Sequence, residues 1–168
     1  MAYTILVVDD AEAIRQLFLV SLGQNGFRVL TAGSGIAGLQ VLERFPVDAI
    51  IADVRMPGMS GMELIAIVRK KYPDILRIIM TGHASLETAI QAINEGEIYR
   101  FFTKPCNIAD IVFSLRSGLE QRDRERERRR IESADGDRTA TLSELEKQCP
   151  GITRIKRDED GTVIIDLD

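Results

Sequence analysis

The sequence predicts an α/β protein: a doubly wound, five-stranded parallel sheet carrying a small C-terminal appendage. Three observations predict it. Within the first 120 of 168 residues, short β-branched runs alternate five times with segments whose apolar residues recur at spacings of three and four. The runs "ILVV" and "AII" are nearly continuous in apolar residues, as suits strands covered on both faces by helices. Beyond Leu119 the composition shifts to charge, and the remaining length is too short to build a core of its own.

Taken in order, residues 5–8 read as the first strand, and Ile14, Leu17, Phe18 and Leu22 as the inner stripe of the first helix. Residues 27–30 and 36–45 give the second strand and helix, and 49–52 and 62–68 the third pair. Residues 78–80 form the fourth strand, followed by a fourth helix whose apolar face is Leu86, Ala89, Ile90 and Ile93. Residues 99–102 are the fifth strand, and Ile108, Ile111, Val112, Leu115 and Leu119 line the fifth helix. The stretch "EQRDRERERRRIES" has no apolar stripe and reads as a solvated, ion-paired extension of that helix. "SADGD" reads as a linker, and residues 142–147 as a further short helix ended by Pro150 and Gly151. Two β-prone runs around Asp160-Gly161 signal a hairpin. The expected division is residues 1–120, a domain; 121–138, a charged helical extension and linker; and 139–168, a short helix plus hairpin that needs a surface to dock on.

Composition narrows the function classes. A net charge of -4 gives no general attraction to nucleic acid or an anionic membrane. No stretch approaches the roughly 20 apolar residues of a membrane helix, and the N-terminus lacks the pattern of a secretory signal. The two cysteines, Cys106 and Cys149, match no zinc or redox spacing. These features predict a cytoplasmic protein. With His83 as the only histidine, a histidine zinc site or a Ser-His-Asp triad is disfavoured. "GSG" at 33–35 is too short for a phosphate loop, and no GxGxxG follows a strand. Met56, Met59 and Met62 read as packing residues, and Cys106 as packing beside the turn at Pro105.

The chemistry concentrates at strand ends. In open parallel sheets, ligands sit outside the carboxyl ends of the strands. Asp9 and Asp10 follow the first strand, Asp53 the third, Thr81 the fourth, and Lys104-Pro105 the fifth. Three carboxylates in one crevice cost several kcal/mol unless a cation offsets them. Hard oxygen donors of this kind suit Mg²⁺ or Mn²⁺. A metal beside a carboxylate also allows that carboxylate to act as a nucleophile towards a phosphoryl group, with a lysine and a hydroxyl serving its oxygens.

The segments "ILVVDD", "DVRMPGMSGMEL", "MTGHA" and "YRFFTKP" resemble the motifs of bacterial two-component response-regulator receiver domains (CheY-like), in order and at the family spacings, over about residues 3–120. The resemblance implies a flavodoxin-like sheet of order 2-1-3-4-5. It implies Asp53 as phosphoacceptor, Asp9, Asp10, Asp53 and the Arg55 backbone carbonyl at the Mg²⁺ site, and Lys104 and Thr81 as phosphoryl contacts. Thr81 and Phe101 take the switch positions, although Phe101 lacks the hydroxyl of a tyrosine there. Gly82 matches the small residue beside the phosphoryl group, and the peptide before Pro105 is expected to be cis. Arg55 and His83 flank the route of attacking water and are read as tuning phosphoryl lifetime.

The implied role is a phosphorylation-dependent signalling receiver that catalyses only its own phosphorylation and dephosphorylation. Its partners would be a cognate histidine kinase or phosphotransfer protein and a downstream protein, without direct DNA binding. A homodimer through the face of the fourth helix, fifth strand and fifth helix is a family expectation. A phosphatase with an aspartate nucleophile is disfavoured because Arg55 stands where its general acid would be. A phosphorylation-independent adaptor on the same fold is the remaining alternative, opposed by the complete set of acceptor, acid pair, threonine and lysine.

Overall fold

Residues 4–8 form a strand: Ile5, Leu6, Val7 and Val8 are apolar on both sides of the pleat, and all five residues, Thr4 included, are buried. Ile5 and Val7 face one layer of helices, and Leu6 and Val8 face the other. In this computed structural model, which describes residues 2–82, 90, 92–94, 98–148, 156–157 and 163–164, that strand lies inside the sheet with a paired strand on each side.

The first compact unit, Met1–Asp123, holds a fully parallel sheet of order β2-β1-β3-β4-β5, as expected. The strands are β1 (Thr4–Val8), β2 (Arg28–Ala32), β3 (Ala49–Asp53), β4 (Leu76–Thr81) and β5 (Arg100–Thr103). Helices α1 (Glu12–Gln24), α2 (Gly35–Arg44) and α3 (Gly61–Lys71) connect the first four strands, and a long helix, Ile108–Gln148, follows β5. Phe18 and Leu22 of α1 pack with Ile111, Leu115 and Leu119 of the long helix on one face of the sheet. Leu42 of α2 packs with Leu64, Ile65 and Val68 of α3 on the other. Burying those large side chains fully is worth about 1.5–3 kcal/mol each. Met56 is buried, and Met59 and Met62 pack against the same α2–α3 layer, as read from the sequence.

Two sequence readings are corrected. The fourth predicted helix lies mostly outside the described residues, but 90 and 92–94 are helical, and its phase differs from the predicted stripe. Ile90 and Ile93 are 49% and 44% exposed, whereas Ala92, at 3%, packs on the core. A small alanine lets the backbone approach, so the isoleucines fall on the outer side. The second correction concerns "SADGD", which is helical within Ile108–Gln148 and no linker; the short helix expected at 142–147 is the end of the same element. One glycine costs a helix only about 1 kcal/mol relative to alanine, too little to interrupt an established helix. Thr139 and Thr141 donate their hydroxyls to the carbonyls of Asp135 and Asp137 at 2.9 Å, which satisfies those side chains locally.

The second compact unit, Arg124–Asp168, contains the rest of that helix. Arg128 and Glu132 approach to 3.7 Å and Arg130 and Glu127 to 3.6 Å along its exposed surface, each pair worth about 0.3–0.5 kcal/mol. The unit also has an antiparallel pairing of β6 (Lys156–Arg157) with β7 (Val163–Ile164). This pairing agrees with the hairpin reading; the Asp160-Gly161 turn itself lies outside the described residues, as do Pro150, Gly151 and Cys149.

Candidate functional site

Strand register builds the site. Val8 pairs with Ala52, so Asp9 leaves β1 level with Asp53 at the end of β3. Asp53 pairs with Met80, which puts Thr81 one residue beyond it on β4, and Thr81 pairs with Thr103, immediately before Lys104. The Lys104 N–H donates to the Thr81 carbonyl at 2.9 Å, tying the two strand ends together. The chain leaves β1 for β2 on one side and returns to β3 on the other. The switch point, where ligands bind in such sheets, therefore falls between Asp9 and Asp53.

Asp9 is fully buried, Asp53 and Thr81 are buried, and Asp10 is exposed. Carboxylate oxygens of Asp9, Asp10 and Asp53 all lie within 4.8 Å of one another. At that separation the buried Asp9–Asp53 pair repels by about 3 kcal/mol at an effective dielectric constant near 20, and the exposed Asp10 contributes less because water screens it. Lys104 answers them: its Nζ donates to Asp9 Oδ2 at 2.7 Å and to Asp53 Oδ2 at 3.1 Å. Burial opposes the Lys104 ammonium, but these hydrogen bonds outweigh that penalty and raise its pKa above the ordinary lysine range. One ammonium against three carboxylates leaves a net formal charge of -2. Hard oxygen donors, an excess of negative charge and an exposed member at the rim together fit a divalent ion such as Mg²⁺.

The loop that follows β3 is shaped closely around Asp53. The Arg55 N–H points at Asp53 Oδ1 from 3.4 Å, while the Arg55 residue as a whole is exposed. Gly58 takes a φ of 79°, a conformation that glycine adopts without strain. Ser60 caps α3 in a reciprocal capping box with Glu63, and the Gly61 N–H donates to the Val54 carbonyl at 3.0 Å. A Cβ on Gly61 would overlap the carbonyl oxygen of Asp53. Sequence reasoning missed Gly61; its available signal was the S-x-x-E pattern of residues 60–63, which fixes where α3 starts.

Thr81 ends β4 in the crevice. A Cβ on the following Gly82 would meet nothing within 4 Å among the described residues. Phe101 is half-buried and packs against the α2–α3 side of the core. The peptide between Lys104 and Pro105 is cis, as expected. Cys106 is half-buried with Sγ 3.3 Å from Met80 Sδ, in a packing position, and burial pushes its thiol pKa up. His83 lies outside the described residues.

A parallel sheet of this order with three carboxylates and a lysine at its switch point is the arrangement expected of the receiver class of α/β domains. Residues 5–116 match the response regulator receiver domain, and the chain is a member of that family. It is 38% identical over 117 residues to the transcriptional regulatory protein GlrR of Escherichia coli (strain K12), a match covering 70% of this chain and 26% of that protein. It is 32% identical over 163 residues to a putative response regulator, NtrX-like, of Rickettsia felis, covering 90% of this chain and 34% of the relative. The chain thus spans between a quarter and a third of the length of these relatives. Among solved structures, the CheY-like receiver domain protein of Methanospirillum hungatei superposes with a TM-score of 0.70 at 30% identity, covering 74% of this chain and 99% of that one.

Proposed function

We propose that the chain accepts a phosphoryl group on Asp53 from a phosphohistidine donor, a histidine kinase or a phosphotransfer protein, and signals by protein contact. The observation that carries this reading is the buried Asp9–Lys104–Asp53 arrangement with Asp10 beside it. A divalent ion held by Asp9, Asp10 and Asp53, with the Arg55 backbone carbonyl, would supply positive charge to the phosphoryl oxygens. An Asp53 carboxylate oxygen attacks phosphorus, the P–N bond of the donor breaks, and the imidazole leaves. Lys104 exchanges its bond with Asp53 for one with a phosphoryl oxygen while keeping Asp9. The Thr81 hydroxyl donates to another oxygen, and Phe101 repacks as Thr81 moves, biasing the domain between two packings. Arg55, exposed beside the acceptor, and His83 act on the lifetime of the acyl phosphate by controlling the approach of water.

The setting is cytoplasmic; among the described residues no helix is long and apolar enough to cross a membrane. The named relatives include a transcriptional regulatory protein, but residues 121–168 carry no recognition-helix pattern, which favours a protein partner over DNA for this part of the molecule. Self-association through the fourth helix, fifth strand and fifth helix remains the expected dimer face.

The test is acetyl phosphate treatment with Mg²⁺ or with EDTA, read by intact mass on wild type and Asp53→Asn. A Mg²⁺-dependent gain of one phosphoryl group on wild type alone is expected. No gain in either condition would replace this reading by that of a phosphorylation-independent adaptor.

A further inference from the structure

Asp9 and Asp10 share a peptide bond whose orientation decides where the second carboxylate points. Three consecutive peptides around them are each held. The Asp9 N–H donates to the Ala32 carbonyl at 3.1 Å, and the Ala11 N–H donates to Asp9 Oδ1 at 2.9 Å. The peptide between the two acids is held by a side chain, Arg15, whose Nη1 donates to the Asp9 carbonyl oxygen at 2.7 Å. Arg15 stands on the first turn of α1, and its own N–H donates to the Ala11 carbonyl at 3.2 Å, so its base is fixed to the same turn.

The guanidinium has a seat as well as a target. It lies over Gly33, at the β2–α2 junction, so closely that a Cβ there would stand 3.3 Å from Nη1, 3.6 Å from Cζ and 3.9 Å from Nη2. Gly33 has no need of a left-handed backbone, since the glycines with positive φ are Gly26 and Gly58. The absent side chain at Gly33 therefore leaves room for a flat guanidinium. Val8 pairs with Ala32 at the same strand ends, so this seat is rigidly placed relative to the acid pair.

We infer that Arg15, seated on Gly33, is a positioning residue for the divalent-ion site: it fixes the Asp9–Asp10 peptide plane and presents both carboxylates before the ion arrives. The inference rests on the proposed metal-dependent function. It runs against the simplest electrostatic expectation, in which a nearby arginine would repel the ion and weaken its binding. Partners that orient metal ligands typically change affinity by about 10- to 100-fold when removed, and Arg15 acts through one neutral carbonyl, which points to the lower end.

The test is the Mg²⁺ dissociation constant of the full chain by titration calorimetry, for wild type, Arg15→Met, Arg15→Lys and Gly33→Val. Arg15→Met removes the charge and the donor, and Gly33→Val keeps the charge but displaces the guanidinium. Both are expected to weaken Mg²⁺ binding by about tenfold, and Arg15→Lys to recover most of the loss. Arg122→Ala, at the opposite end of the sheet, destabilises the fold and is expected to leave Mg²⁺ affinity unchanged, which separates positioning from general loosening. Unchanged or tighter binding in Arg15→Met, or wild-type affinity in Gly33→Val, overturns the inference. Should Arg15→Met fail to fold in EDTA by circular dichroism, Gly33→Val decides alone. Wild type that binds no Mg²⁺ would overturn the proposed function as well, whereas wild type that binds while both variants match it overturns the role of Arg15 only.

Discussion

The two ends of the sheet are built from the same kinds of side chain and finished differently. At the amino end, Arg122 of the long helix donates through Nη1 to the Asp48 carbonyl and through Nη2 to Asp48 Oδ1, while its Nε and Nη2 reach Asp123 Oδ1. The remaining oxygens are also used: Asp48 Oδ2 accepts from the Thr4 N–H, and Asp123 Oδ2 accepts from the Tyr3 hydroxyl at 2.6 Å. The guanidinium also lies 5.9 Å from the centre of the Tyr3 ring. A planar five-donor group matches two carboxylates and closes the set. At the carboxyl end, a point-like ammonium serves a group of three carboxylates, and among the described residues Asp53 Oδ1 has a long contact to the Arg55 N–H. At the amino end every carboxylate oxygen of Asp48 and Asp123 has a hydrogen-bond donor, whereas the carboxyl end keeps a larger excess of negative charge, as a cation-dependent site needs.

That contrast can be broken most severely by neutralising the carboxyl-end acids. Asp10→Asn should lower Mg²⁺-dependent phosphorylation by acetyl phosphate at least 100-fold, as loss of a direct ligand exceeds the effect of an orienting partner. Its metal-free stability should rise by about 0.5–1 kcal/mol as repulsion falls; urea unfolding in EDTA measures this, and a fall in stability would contradict the repulsion argument. The opposite pattern is expected for Arg122→Ala. Removing the arginine leaves two acids at a partly buried junction and should cost about 2–3 kcal/mol in urea unfolding, with phosphorylation of the folded protein retained.

A third outcome sharpens the comparison by adding the ion. Mg²⁺ at about 100 times its dissociation constant should stabilise wild type by about 2.7 kcal/mol, visible as a raised melting temperature, and should leave Asp10→Asn unmoved. The smallest expected effect is on the alkaline side. The hydrogen bond to Asp123 holds the Tyr3 phenol pKa above the usual tyrosine range, with burial adding to it. The folded state therefore retains that proton more tightly than the unfolded chain. The stabilisation is fully present below the ordinary tyrosine pKa and is lost as pH rises through the raised value. Tyr3→Phe should lose about 1 kcal/mol at neutral pH and show a shallower fall of stability above pH ~10.

Much of this was legible in the sequence because it depended on periodicity or on residues at strand ends. The continuous apolar run at 5–8 marked a doubly covered strand, and Asp9, Asp53, Thr81 and Lys104 each appeared just past such a run. Parallel register then had no choice but to bring those ends together. The helical phase at Ile90 and Ile93 was misread because a hydrophobic stripe cannot tell which of two apolar faces turns inward when an alanine suffices for contact. The helix through "SADGD" was misread because local turn propensity was given more weight than cooperative extension from a well-anchored first half. Gly33 and Arg15 were invisible for a different reason: what matters there is space left open for a residue distant in the chain, and no local pattern records it; for Gly61 the S-x-x-E pattern of residues 60–63 marks only where α3 starts.

The seat of Gly61 against the Asp53 carbonyl has a practical consequence for observing the domain. Its amide donates to the Val54 carbonyl, one residue past Asp53, and a Cβ on it would overlap the Asp53 carbonyl group. A shift in the Asp53 backbone is expected to disturb that amide. In a ¹⁵N-labelled sample, glycine amides occupy a sparse region of the two-dimensional spectrum. The Gly61 cross-peak is thereby a native probe of Asp53, and under the proposed function it would follow phosphoryl turnover in real time without any label attached to the site.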